Sequence, residues 1–88
     1  MKIVILYHPQ SDHGRIVDEY VRDFTRLNPE VSLKSISVDT REGWSMAELY
    51  DITAYPAMLS IREGGELAKC WMDLPLPLMN EVAFYAFT

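Results

Sequence analysis

Lys2 to Tyr7 form an unbroken apolar run, KIVILY apart from its first residue, that stops at His8-Pro9. A strand with one wet face alternates apolar and polar residues, so a continuous run of this length predicts a central strand covered on both faces. After it, Ile16, Val17, Tyr20, Val21, Phe24 and Leu27 recur at helical spacing, while Asp18, Glu19, Arg22 and Asp23 fall on the other side. That pattern predicts a helix from Ser11 to Leu27, closed by Asn28-Pro29, with Ser11 as its N-cap. Val31 to Val38 sets Val31, Leu33, Ile36 and Val38 among serines and predicts a second strand. A short helix without a strong cap follows from Trp44 to Tyr50, with Met46, Leu49 and Tyr50 expected inward. Ala57 to Arg62 and Leu67 to Met72, joined across Gly64-Gly65, predict a hairpin. Leu76 to Phe87, with Met79, Val82, Ala83 and Ala86 on one stripe, predicts the last helix.

The order is β-α-β-α-β-β-α. A parallel first pair needs a right-handed crossover, which the first helix supplies, and the hairpin then adds antiparallel strands. The expectation is an α/β fold, a four-stranded mixed sheet flanked by three helices. With 88 residues, 49% of them apolar and 24% charged, the chain suits one compact domain spanning 1–88. The net charge of −5 is spread, with Arg15, Arg22, Arg26, Arg41 and Arg62 interleaved with acids, which argues against a nucleic-acid partner. The first apolar run is too short for a membrane span or a signal segment, so the expected location is cytoplasmic, with no membrane partner. A single cysteine, Cys70, permits no internal disulfide and no cysteine-based metal cluster. Its mid-strand place suggests a small packed hydrophobe.

Val38-Asp39 closing the second strand, Tyr50-x-Ile52-x-x-Tyr55-Pro56 before the third, and Gly65-Glu66-Leu67 at the hairpin resemble the thioredoxin family in order and spacing. The resemblance covers nearly the whole chain. It implies a thioredoxin-like β-α-β-α-β-β-α fold in which Pro56 is a cis-proline facing the site at the start of the first helix. It also implies a Cys-x-x-Cys at that start, yet the matching positions read Ser11-Asp12-His13-Gly14. A serine hydroxyl forms no disulfide and lacks the accessible ionisation that makes a thiol nucleophilic near neutral pH. The family's buried acid on the first strand falls at Ile5, so the proton-transfer partner is missing too. Dithiol exchange has no chemistry here, although a scaffold of this kind suggests that cysteines placed at both Ser11 and Gly14 would close.

The expectation is therefore a redox-inactive, thioredoxin-like domain that binds a protein or extended peptide through Tyr7, His8, Ser11, His13, Trp44, Tyr55 and Pro56. In proteins of this kind, the residue before the cis-proline offers its backbone to an extended segment, a short β-addition that needs no cysteine. The alternative is a small glutathione-binding or hydroxyl-assisted enzyme centred on Ser11, with His8 and His13 near enough in sequence to assist. Against it, a serine at a helix start is ordinarily a cap. His8 and His13 would also suit a metal or a pH response, but two histidines make an incomplete first shell, and loop histidines are ordinarily solvated. Trp44, Tyr55 and Tyr7 serve equally as groove walls or as core and rim packing. A third possibility is pairing through the strand Leu67 to Met72 or through Trp71, so the expected state is a monomer or weak homodimer. No cofactor and no metal are expected.

Overall fold

The computed structural model describes residues 2–86. Its elements are β1 (Lys2–Tyr7), α1 (Gly14–Leu27), β2 (Leu33–Ser37), α2 (Arg41–Leu49), β3 (Ala57–Ile61), β4 (Leu67–Met72) and α3 (Met79–Ala86). The strands form one sheet in the order β2-β1-β3-β4. β1 runs parallel to β2, with Ile3 beside Leu33 and Tyr7 beside Ser37, and antiparallel to β3, with Leu6 beside Ala57. β3 and β4 pair antiparallel. The expected mixed sheet and element order are those observed.

Successive side chains of a strand point to opposite faces, and β1 fills both. On one face Val4 and Leu6 pack with Ile36, Leu59, Ile61 and, from α2 and the segment after it, Ala47 and Ile52. On the other, Ile3, Ile5 and Tyr7 pack with Val17 and Phe24 of α1, Met58, and Val82 of α3. Ile3, Val4, Ile5 and Leu6 are all at 0% exposure, as the unbroken run predicts. Cys70 is partly buried against the α2-side cluster, where burial raises its thiol pKa and so disfavours the thiolate.

The helices depart from expectation at their starts. α1 begins at Gly14 rather than Ser11, because residues 8–14 make two successive turns, with the Ser11 N–H bonded to the His8 carbonyl at 3.0 Å and the Gly14 N–H to the Ser11 carbonyl at 3.1 Å. The N-cap is His13, whose side chain makes no capping bond. α2 begins at Arg41, earlier than expected, because Thr40 caps it: Thr40 Oγ1 accepts from the Gly43 N–H at 3.1 Å and donates to the Ser37 carbonyl at 2.7 Å. The inward face of α2 runs through Gly43 and Ala47, with Met46 and Tyr50 packed on the core beside them, so Leu49, two residues and about 200° around the helix from Ala47, faces solvent at 71% exposure instead of pointing inward. β2 is shorter than Val31 to Val38. α3 starts three residues after Leu76, and the expected end at Phe87 lies outside the described residues.

Two long-range bonds hold the helical layers. Tyr20 on α1 donates to the Pro77 carbonyl at 2.8 Å, and burial together with the nearby Glu81 pushes its phenol up to about 12. Tyr50 at the end of α2 donates to the Gly65 carbonyl of the hairpin turn at 2.7 Å. Gly65 sits at φ +93°, a left-handed conformation that favours glycine.

Truncating Phe24, fully buried and stacked on Tyr20 at 6.3 Å, should remove much of the fold's stability. Phe24→Ala is expected to cost about 3–5 kcal/mol, against a total of about 5–15 kcal/mol for a domain of this kind. Leu49→Ala, by contrast, should lie within about 0.5 kcal/mol of wild type. Urea unfolding followed by circular dichroism measures both.

Candidate functional site

The carboxyl ends of β1 and β2 and the amino end of β3 lie at one end of the sheet, because Leu6 of β1 stands beside Ala57 of antiparallel β3. The loops after β1, after β2 and before β3 emerge there, the usual place for ligands of open α/β sheets. Pro56 is fully buried between them. The Tyr55–Pro56 peptide bond is cis, as is Leu74–Pro75, and the Pro56 carbonyl accepts from the Asp73 N–H at 2.9 Å.

One side of Pro56 is closed by bonds within the β1–α1 loop. The His8 backbone N–H donates to His13 Nε2 at 3.0 Å. That bond requires Nε2 to hold a lone pair, so His13 is a neutral imidazole with its proton on Nδ1. Burial, then the neighbouring His8, lowers its pKa, while Asp12 and Asp73 pull weakly the other way. The rings of His13 and His8 lie 6.1 Å apart, Tyr7 lies 6.4 Å from His13, and His8 meets Tyr55 edge-on at 5.1 Å. His8 Nδ1 stands 3.7 Å from Asp39 Oδ1. Tyr7, nearly buried, donates to Asp18 Oδ1 at 3.1 Å; burial and that carboxylate raise its phenol pKa.

Ser11 caps no helix. Its hydroxyl donates to the His8 carbonyl at 2.7 Å, so the proton that a hydroxyl-assisted reaction would direct at a substrate is held by the loop. Gly14 is closed more firmly: a Cβ there would stand 2.2 Å from the Pro9 carbonyl oxygen and 2.9 Å from its carbon. A side chain at the second-cysteine position thus requires the Pro9 carbonyl to move, a steric cost that counts against the expected closure of a cysteine pair at 11 and 14.

The other side is open. Trp44 on α2 is 58% exposed and separates two grooves. One, of about 490 Å³, is lined by Trp44, Ala47, Glu48, Asp51, Ile52, Thr53 and Tyr55. The second is lined by Val38, Asp39, Thr40, Arg41, Trp44 and Ser45. Along the first groove, the backbone N–H and C=O groups of residues 53–55 make no hydrogen bond among the described residues. Thr53 makes only a long side-chain contact, Oγ1 to Met72 Sδ at 3.9 Å.

The structure brings Tyr7, His8, His13, Tyr55 and Pro56 together around one loop and sets Ser11 on that loop's exposed surface. Trp44 stands across the groove. Sequence reasoning missed Asp39, Thr40, Glu48, Asp51 and Thr53. Thr40 had a signal, a threonine three residues before Gly43 at a helix start. Among the described residues no group of three or more His, Cys, Asp or Glu side chains is placed to hold a metal ion, and no helix is long and apolar enough to cross a membrane.

No protein-family model and no curated protein matches the chain. Solved structures do match. Thioredoxin O2 from Arabidopsis thaliana in its oxidized state aligns over 94% of this chain and 69% of its own, with a TM-score of 0.70 at 10% identity. Thioredoxin 1 from Thermosipho africanus aligns over 97% of this chain and 89% of its own, at 0.67 and 14%. This is a thioredoxin fold. A structure concerning thiol resolution in yeast mitochondrial 1-Cys peroxiredoxin through glutathione/thioredoxin systems also aligns, over 97% of this chain and 74% of that one, at 0.70 and 14%. Within its thioredoxin fold this chain holds one cysteine, on β4, and no Cys-x-x-Cys.

Two outcomes follow from the closed side. At an ordinary helix position, alanine is favoured over glycine by about 1 kcal/mol, yet Gly14→Ala should destabilise by about 1–3 kcal/mol because the Pro9 carbonyl must move. A stabilised variant in urea titration would contradict the steric reading. The lowered pKa of His13 means that the folded state binds fewer protons than the unfolded one below the ordinary imidazole value of 6.5. The stability His13 contributes is present above that value and is lost as pH falls through the depressed one. Between about pH 7 and about pH 5 the wild-type urea midpoint should therefore fall, and His13→Gln should flatten the slope.

Proposed function

We propose that this chain is a redox-inactive, thioredoxin-fold binding module that captures an extended protein segment beside Pro56. The observation that carries this reading is the free backbone of residues 53–55 along an open groove walled by Trp44 and Tyr55. Unpaired N–H and C=O groups are what an added segment bonds to, and the rim aromatics, exposed Trp44 and half-buried Tyr55, supply contact area. The absence of a second cysteine within the chain leaves no internal dithiol to cycle, and one at Gly14 would require the Pro9 carbonyl to move.

The glutathione-binding or hydroxyl-assisted enzyme ranks below it, since the Ser11 hydroxyl is bonded to its own loop. Pairing of two copies through β4 ranks below it as well. Exposed Lys69 lies on that edge, and a charged edge residue disfavours strand addition. Trp71 Nε1 already donates to Glu81 at 2.6 Å.

Titrating extended hexapeptides against ¹⁵N-labelled protein should move the amides of Trp44, Thr53 and Tyr55 together, with Ser11 at the margin. Trp44→Ala should weaken capture by at least about fivefold, the cost of losing one buried anchor. Shifts confined to β4 or α3 would replace this reading with edge pairing.

A further inference from the structure

α2 ends in a way that points to its ligand. The Ile52 N–H bonds to the Ala47 carbonyl at 2.8 Å and the Asp51 N–H to the Glu48 carbonyl at 3.3 Å, the two bonds of a Schellman motif. Ile52 and Ala47 share one apolar cluster, which completes the motif. Its left-handed residue is Asp51, at φ +56°. Glycine is the usual occupant, since a Cβ is disfavoured in that conformation. An acid there is disfavoured a second time, because the last turn of a helix presents carbonyl groups and partial negative charge.

Glu48 adds another carboxylate to the same turn, and α2 has no basic residue there. Neither carboxylate forms an ion pair or hydrogen bond through its side chain among the described residues. Both line the groove beside Trp44, and Trp44 and Glu48 are i,i+4 neighbours on one helix face. Two unneutralised acids, the carbonyl end of a helix and the face of an exposed indole therefore converge on one groove. All three favour a cation. The capping geometry itself requires none of these charges.

Resting on the proposed peptide-binding role, we infer that the groove selects an extended segment bearing a lysine or arginine, whose cationic head sits between Glu48 and Asp51 and packs its stem on Trp44.

The test is a panel of acetylated, amidated hexapeptides of alternating Val and Ser, with Lys, Arg, norleucine or Glu substituted at each position in turn, titrated against labelled protein at low salt. At one position Lys and Arg should bind about tenfold tighter than norleucine, as two partly screened ion pairs and one cation–π contact would give, and Glu should bind weakest. The preference should shrink as salt rises. Asp51→Gly and Glu48→Gln should each reduce this Lys-over-norleucine ratio severalfold. Asp51→Gly should also raise the urea midpoint, so loss of the preference is separable from loss of the fold. Equal binding of Lys and norleucine peptides would overturn the cation site and leave the peptide groove standing. Failure of every peptide to shift Trp44, Thr53 and Tyr55 would overturn both.

Discussion

Burial of β1 on both faces is the constraint on which the rest of this structure rests. Its four interior residues are fully buried, and each alternate pair belongs to a different core. α2 is held against Val4 and Leu6, while α1 and α3 are held against Ile3, Ile5 and Tyr7, so the position of every helix is referred to one strand. The same strand sets the register of both neighbours, parallel on one edge and antiparallel on the other. That combination brings the loops after β1 and β2 and the loop before β3 to a common end. The site is a consequence of the sheet's topology before any particular side chain is considered.

Around Pro56 the two sides differ in how their polar groups are satisfied. In the β1–α1 loop the His8 N–H, the His8 carbonyl, the Ser11 hydroxyl and the His13 ring are bonded to one another. Such groups have little left to offer a ligand, since a displaced partner must be compensated. On the α2 side the backbone of residues 53–55 and the side chains of Trp44, Glu48 and Asp51 remain available. The polar groups left unbonded around Pro56 are thus those of the α2 side.

Much of the fold was legible because its signals are local. The continuous run at β1 and the glycine turn of the hairpin placed β1 and β4 at their observed bounds, and β3 within one residue. The helix starts were harder. Ser11 has the composition of a cap, but tertiary bonds to His8 draw it into a turn, and α1 begins three residues later. Leu49 fits an apolar stripe with Met46 and Tyr50, but the buried face of α2 is centred on the small residues Gly43 and Ala47, which carry little hydrophobic signal, and Leu49 lies outside it. The aromatic wall of the site could be read from its position before Pro56. The His8–His13 bond and the pairing of Glu48 with Asp51 depend on loop geometry and helix phase, which no spacing rule supplies.

The contact between Gly14 and the Pro9 carbonyl bears on what substitution can make of this chain. Installing a Cys-x-x-Cys would take more than two substitutions, because position 14 admits a side chain only after the loop has shifted. Pro9 lies within the loop that the bonds joining His8 to Ser11 and His13 hold, so the shift works against them. Each intermediate would carry the loss in stability without yet having a disulfide to show for it, and marginally stable domains tolerate few such steps. The backbone at the start of α1, as well as the missing cysteines, thus stands in the way of dithiol chemistry in this chain.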